Sequence, residues 1–286
     1  MKLIPVYAIF TVLVLAVIAG YHIDTSSSPT SSKAAAVKRT SQLVESPPTA
    51  DPLAGLPADM NAAILASPSL SASATLINLE TGKTYNAGNY SQSYTAASTA
   101  KLVAVFDYIH QVELGKASLS QNIQGQSAQD IIMRMIVYSD NDAWTKLNTY
   151  LHMPQEQKYV SSLGVLATIQ TDNVRFSTPQ MAKLLQLLYQ GKLMNTAHQA
   201  LVYEYMSHTT VKNLIQAALP ADATVYHKYG QVEGVLHDAA IVQYQGHDFV
   251  LVVYTNNPAG VSTLKTQQVD LIHAVTTAAF ADVTKS

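Results

Sequence analysis

The chain of 286 residues is 48% hydrophobic and only 13% charged, so it can bury a large core in one domain or in two closely packed ones. Its formal charge of −2 and its three scattered arginines give it no basic surface, so we expect no nucleic-acid partner. The absence of cysteine excludes disulfides, thiol chemistry and zinc sites of the cysteine type.

The N-terminal end is predicted to carry the rest of the chain out of the cytoplasm. Residues 3–23 form an almost wholly apolar run preceded by Lys2, close to the roughly 20 residues that a membrane-spanning helix needs. The run also resembles a signal peptide, with Val17-Ile18-Ala19 as a cleavage site, although its length favours a retained anchor. In both cases Lys2 stays inside and the remainder is extracytoplasmic, anchored to the membrane or secreted.

A tract rich in Ser, Thr, Pro and Ala spans residues 24–56 and cannot build a core. We predict that it is a flexible linker. The folded domain is then expected to occupy residues 57–286.

Strand patterns lie near both ends of this domain, and helical patterns lie between them. The predicted strands are 71–78, the return strand from 84, and 236–244 with 247–255 around a Gln245-Gly246 hairpin. The predicted helices are 58–65, 98–114, 131–137, 143–151, 178–189, 211–218 and 261–280. This order predicts an α+β, sandwich-like fold, in which strands from both chain ends form one antiparallel sheet, helices flank it, and an all-helical subdomain is inserted.

Ser98 and Lys101 open one of these helices with the spacing Ser-x-x-Lys. Residues three apart share a helix face, and serine favours helix starts, where N–H groups are unpaired. Lys101 lies among apolar neighbours, so desolvation would lower its pKa and let it act as a base for the serine hydroxyl. The same motif alone also fits a helix cap followed by a solvated lysine.

Two further motifs follow in order: Ser139-Asp140-Asn141 after an apolar helix, and Lys228-Tyr229-Gly230 beside a strand pattern. From about Pro57 onward the chain resembles class A β-lactamases and penicillin-binding proteins, which carry Ser-x-x-Lys, Ser-Asp-Asn and Lys-Thr-Gly in this order. The resemblance implies their fold, with an antiparallel sheet and an inserted helical region, and a serine hydrolase that needs no cofactor.

The roles of individual residues are also implied by the resemblance. Ser98 would be the acylated nucleophile, Lys101 its base and Ser139 the proton relay to the leaving nitrogen. Asn141 would hold the substrate's amide, and Asp140 would brace the loop. In the third motif, Lys228 would attract the substrate carboxylate and keep Lys101 neutral, and Tyr229 and Gly230 would shape the pocket. The N–H groups of Ser98 and Gln231 would form the oxyanion hole.

Other polar and aromatic residues have simpler interpretations. The pairs His237-Asp238 and His247-Asp248 lack metal-ligand spacing, so they are predicted to be hairpin residues, and no metal is expected. Trp144, at an apolar helical position, is predicted to lie in the core.

The chain departs from the family pattern in its third motif and in its Ω-loop. Tyr229 replaces the usual threonine, and the arginine that often backs the carboxylate pocket is missing. Residues 163–179 contain no glutamate to activate the water of deacylation; Glu156 lies too early, and Asp172 is a weak substitute.

Two functions therefore stay open. The first is an exported serine hydrolase acting on β-lactams or on cell-wall peptides through an acyl-serine, either class A-like or a D-Ala-D-Ala peptidase, with slow deacylation. The second is a non-catalytic domain that binds wall peptides. The sequence does not determine the oligomeric state.

Overall fold

The structure is a computed structural model that describes residues 51–151, 153–170, 173–260 and 265–285. Eight helices are described: α1 (Leu56–Leu65), α2 (Lys101–Glu113), α3 (Ala128–Val137), α4 (Asn141–Leu151), α5 (Met153–Ser162), α6 (Thr178–Tyr189), α7 (Thr196–Ser207) and α8 (Lys265–Val283). Short 3₁₀ turns span Ala97–Ala100 and Ile215–Ala218. The strands are β1 (Ser71–Asn78), β2 (Thr84–Gly88), β3 (Tyr94–Thr95), β4 (Asn122–Ile123), β5 (Gln126–Ser127), β6 (Thr168–Gln170), β7 (Asn173–Phe176), β8 (Thr224–Val232), β9 (Val235–Gln243) and β10 (Phe249–Asn256).

The main sheet has the strand order β2-β1-β10-β9-β8, and every neighbouring pair is antiparallel. The pairing of β1 with β10 joins the first strand of the domain to the last one, so the predicted sheet from both chain ends is confirmed. Because β10 is buried along nearly its whole length, its sequence Phe-Val-Leu-Val-Val-Tyr is a continuous apolar run rather than an alternating one.

Two apolar cores cover the two faces of this sheet. One contains buried residues of α1 and α8, and the other contains α2, α3, α4 and α6. The insertion between β2 and β8 was predicted to be all-helical. It is mostly helical, but it also contains the β3-β7-β6 sheet and the β4-β5 pair. These strands have two to four residues, too short to show a strand period in the sequence.

The predicted hairpin between β9 and β10 is confirmed at Gln245-Gly246. Both residues have positive φ, 48° and 89°, and the amide of His247 donates to the carbonyl of Tyr244 at 2.7 Å. Positive φ at both central positions is what a two-residue turn of the primed type requires, and glycine supplies one at no steric cost.

Two predicted boundaries need correction. The helix predicted over 211–218 is only the 3₁₀ turn Ile215–Ala218, and the amide of Ile215 donates to the buried Asp238 carboxylate at 3.1 Å rather than along a helix. The linker was predicted to extend to residue 56, but Leu53 and Leu56 are buried in the α1–α8 core. The folded unit therefore begins before Pro57, because these two leucines complete the core.

The predicted leader and most of the predicted linker lie outside the described residues. Within the part of the chain that the structure describes, no helix combines the length and the hydropathy that a membrane crossing requires.

Candidate active site

Ser98 lies in a strained turn that connects β3 to α2. The preceding residue, Ala97, has a φ of 48°, in the left-handed region that non-glycine residues rarely adopt. The sequence predicted that Ser98 begins the helix, but Ser98 is the second residue of the 3₁₀ turn that precedes α2, and the alternative of a side-chain cap is not seen there. This left-handed residue directly precedes Ser98, whose hydroxyl accepts a hydrogen bond from Lys101.

Lys101 is buried beneath this turn, with 1% of its surface exposed. Its Nζ donates to Ser98 Oγ at 2.8 Å and to Asn141 Oδ1 at 2.7 Å, and it lies 5.1 Å from the centroid of the Trp144 ring. Burial lowers the pKa of Lys101 to about 8, although the nearby Asp140 charge opposes the shift. The predicted desolvation is therefore present, and about one tenth of the amine is neutral at pH 7.

Ser139 lies in a tight loop between α3 and α4 that Asp140 holds in place. Asp140 Oδ1 accepts the amides of Asp142 and Ala143 at 2.8 and 3.0 Å, and its Oδ2 accepts from Arg134 Nε at 2.9 Å. These bonds cap the start of α4 and lower the pKa of Asp140. They also secure Ser139 at a φ of 58°, a backbone shape that a serine does not favour.

Lys228 lies on the edge strand β8 and is fully buried. Its Nζ donates to Ser139 Oγ at 2.9 Å and to the carbonyl of Tyr229 at 3.0 Å, and it lies 4.3 Å from the Tyr229 ring centroid. Burial first, and the charge of Lys101 second, lower the pKa of Lys228 to about 7. The sequence argument had Lys228 depressing the pKa of Lys101, but in the structure burial accounts for the shift of Lys101, and the repulsion acts on the pKa of Lys228.

Gly230 lets β8 approach the turn that carries Ser98. A Cβ placed on Gly230 would meet the carbonyl oxygen of Ala96 at 3.0 Å and the amide nitrogens of Ser98 and Thr99 at 3.1 Å each. Only a residue without a side chain fits this spacing without displacing the turn. The following residue, Gln231, is therefore next to Ser98 and lines the same cavities.

Two adjoining cavities meet at Ser98. The larger, about 450 Å³, is lined by Ser98, Ser139, Tyr229 and Gln231, among others. The smaller, about 420 Å³, is lined by Ser98, Lys101, Asn141, Trp144 and Gln231, among others. Trp144 packs against the core, as predicted, but it is only partly buried and also lines this cavity.

Residues distant in sequence contact the 3₁₀ turn that carries Ser98 and the strand that precedes it. His237 Nε2 lies 2.9 Å from the carbonyl of Thr95, and the ring stacks on Tyr254 at 3.9 Å. The Tyr254 hydroxyl in turn bonds Thr99 Oγ1 at 2.8 Å, inside the 3₁₀ turn. Sequence reasoning missed this support, because only the β9–β10 register, with His237 opposite Tyr254, shows it.

His237 and Asp238 do lie in the β9–β10 hairpin, as predicted, but they are not simple polar surface residues. Both are buried in β9, where Asp238 bonds His227 Nδ1 at 2.9 Å. Among the described residues, no group of three or more His, Cys, Asp or Glu could hold a metal ion.

Neither Glu156 nor Asp172, the two carboxylates considered as the base for deacylation, is seen among the described residues that line the cavities at Ser98. Glu156 is buried on α5, where the Asp107 carboxyl acts on its pKa, and it lines neither cavity that contains Ser98. Asp172 lies outside the described residues. Of the described residues that line the two cavities, Glu233 alone is acidic, and it lies on the exposed turn between β8 and β9.

The comparison with known families identifies the family of the domain that carries this site. The family model described as "Beta-lactamase enzyme family" matches residues 56–283. The chain belongs to the β-lactamase enzyme family. The match covers nearly the whole described unit, from α1 through α8, and places the chain in a β-lactamase-like serine hydrolase superfamily.

Solved structures share the β-lactamase fold with this chain. A variant of PBP-A, in an acyl-enzyme complex with penicillin G, is 21% identical, with a TM-score of 0.74 over 82% of this chain and 98% of that one. A β-lactamase from Burkholderia vietnamiensis is 18% identical, with a TM-score of 0.74 over 82% and 98% of the two chains. A β-lactamase from Sphaerobacter thermophilus is 17% identical, with a TM-score of 0.71 over 80% and 98%. A search of curated protein sequences found no match.

Proposed function

We propose that this β-lactamase-family chain is an acyl-transfer hydrolase whose Ser98 is acylated by β-lactams or by cell-wall peptides that end in a free carboxylate. The observation that carries the proposal is the pair of hydrogen bonds Lys101–Ser98 at 2.8 Å and Lys228–Ser139 at 2.9 Å, with both serines on one cavity. A helix cap followed by a solvated lysine would not bury both amines.

Acylation follows from these contacts in one sequence of proton transfers. Neutral Lys101 takes the proton of Ser98 as Oγ attacks the carbonyl carbon, and the amides of Ser98 and Gln231 donate to the oxygen that becomes negative. As the C–N bond breaks, the proton held by Lys101 is passed through Ser139 to the leaving nitrogen, because the Ser139 hydroxyl can accept and donate. Charged Lys228 beside Ser139 attracts the substrate carboxylate.

The smaller cavity fits the acyl side of the substrate. Trp144 and Val174 give it apolar surface, and Asn141 and Asn173 give it amide groups. The indole Nε1 of Trp144 is buried with no protein partner, so a carbonyl of the acyl group would satisfy it. An acyl group with an apolar side chain and an amide is therefore the preferred type.

Deacylation is proposed to be slow. It requires a water molecule and a base beside the ester, and the described lining of the smaller cavity holds no carboxylate. Lys101 is the only basic side chain in that lining, and it is already bonded to Ser98 and Asn141.

Export is part of the same proposal. The apolar run at residues 3–23 and the polar tract that follows it support an extracytoplasmic domain, anchored or secreted. Fractionation of cells followed by protease treatment of intact spheroplasts tests this; protection of the domain from protease would contradict it.

Labelling with a fluorescent penicillin tests the catalytic proposal. We expect the full-length chain to become covalently labelled, Ser98→Ala to lose the label, and Ser91→Ala, at an exposed serine seven positions upstream, to keep it. Labelling of Ser98→Ala at the wild-type level would contradict the proposed nucleophile. A wild-type chain that binds wall peptide but never labels would support the non-catalytic binding domain instead.

A further inference from the structure

A second cavity lies against α2 and α5, away from Ser98. Its volume is about 560 Å³, and none of its lining residues lines the two cavities at Ser98. Asp107, on its wall, is six residues beyond Lys101, or about 9 Å along the axis of α2. This volume lies in the range of small-molecule sites and far exceeds that of a bare metal ion.

Three buried oxygen atoms in this region have no hydrogen-bond partner in the protein. They are Asp107 Oδ2, Tyr159 OH and Glu156 Oε1. Asp107 is fully buried, and Glu156 and Tyr159 are 3% and 7% exposed. Asp107 and Tyr159 line the cavity and Glu156 lies beside them; Asp107 receives hydrogen bonds from Gln111, on its other oxygen at 3.0 Å, and from Gln155. Because unpaired buried oxygens are costly, a group that donates several hydrogen bonds would stabilise this end of the cavity.

The charges divide the cavity into two ends. The buried end holds the carboxyl of Asp107, and burial together with Asp107 raises the pKa of Glu156 to about 7. Burial also raises the pKa of Asp107, because it outweighs the opposing hydrogen bonds of Gln111 and Gln155 and the charge of His110, so the ionised carboxylate is only partly compensated. The open end carries two exposed amines, Lys116 and Lys158. A ligand that fits both ends is cationic where it is buried and anionic where it is exposed.

We propose that this cavity binds a small zwitterion, an amino acid or short peptide with a free ammonium and a free carboxylate. The ammonium has three donors, and it occupies the buried end, where Asp107 and Tyr159 accept from it. The carboxylate lies between Lys116 and Lys158 at the open end. The site is independent of the acylation of Ser98.

Calorimetric titration of the full-length chain with L-alanyl-L-alanine tests the site. We expect a dissociation constant on the order of 1 mM, typical of a ligand of this size. N-acetylation of the dipeptide, which removes the cation, should weaken binding at least about tenfold, and C-terminal amidation should weaken it several-fold.

Protein variants locate the binding. Asp107→Asn should weaken the dipeptide at least about tenfold, and Lys116→Gln combined with Lys158→Gln several-fold. Asp59→Asn, at an exposed carboxylate on α1, should change nothing. Tyr159→Phe removes only a hydroxyl and should weaken binding a few-fold, so the test survives if Asp107→Asn fails to fold.

Three results would overturn the proposal. They are no measurable heat at about 50 mM dipeptide, unchanged binding of the N-acetylated dipeptide, and unchanged binding by both Asp107→Asn and Tyr159→Phe. Loss of binding in Ser98→Ala would also overturn it, because the dipeptide would then occupy the catalytic cavity. Failure of penicillin labelling leaves this test intact, since it measures binding alone.

Discussion

Two buried amines determine the pH range in which Ser98 can be acylated. Lys101, with a pKa of about 8, must be neutral to accept the serine proton, and Lys228, with a pKa of about 7, must be charged to attract a carboxylate. The acylation rate therefore falls as the pH drops below about 8, because Lys101 becomes protonated. It also falls as the pH rises above about 7, because Lys228 loses its charge. At pH 7.5 each required form makes up about one quarter of the protein, so about one molecule in sixteen is competent.

Rapid-mixing kinetics with a chromogenic cephalosporin measure this profile between pH 5 and pH 10. We expect kcat/KM for acylation to give a bell with its maximum between about 7 and 8 and about tenfold losses per pH unit on the outer limbs. Lys228→Arg carries a guanidinium that stays charged, so the alkaline limb should disappear while the acid limb remains. The exposed Lys192→Arg is the control and should keep the wild-type bell. A flat profile, or an unchanged alkaline limb in Lys228→Arg, would refute the reasoning.

Three further substitutions have defined outcomes. Gly230→Ala should lower the acylation rate by about tenfold to a hundredfold in rapid-mixing assays, because its Cβ would press on the Ser98 amide 3.1 Å away; an unchanged rate would show that the turn does not depend on this contact. Asp140→Asn should lower the free energy of unfolding by about 1–2 kcal/mol in urea and slow acylation as well, because it weakens the α4 cap and the Arg134 pair; a loss of stability with full activity would separate the loop from catalysis. Glu156 holds its proton more tightly in the folded state, so stability should fall by about 3 kcal/mol as the pH rises from 4.5 to 7, and urea titrations of Glu156→Gln should show a smaller fall; an equal fall would assign the dependence to other groups.

The features that the sequence predicted are the local ones. The apolar run after Lys101 predicts a helix, and Gln245-Gly246 between two apolar runs predicts a hairpin, because each pattern is set by neighbouring residues. The three motifs identified the residues that the structure gathers around Ser98, since each one keeps its short spacing.

The features that the sequence did not predict depend on long-range register. His237 supports the Ser98 turn only because β9 pairs with β10 and places it opposite Tyr254. Trp144 occupies an apolar position of α4, and nothing in its neighbours shows that this side of the helix faces Lys101. Gly230 looks like part of a motif, and its contact with the Ser98 amide becomes visible only when β8 packs on the turn.

Intact-mass spectrometry after exposure of the full-length chain to penicillin G is the most direct test of the acyl-serine account. We predict a single adduct with the mass of the whole antibiotic, located on Ser98 by peptide mapping and persisting well after free penicillin is removed. The absence of any adduct on Ser98 together with rapid loss of the antibiotic would contradict both the proposed nucleophile and the slow deacylation.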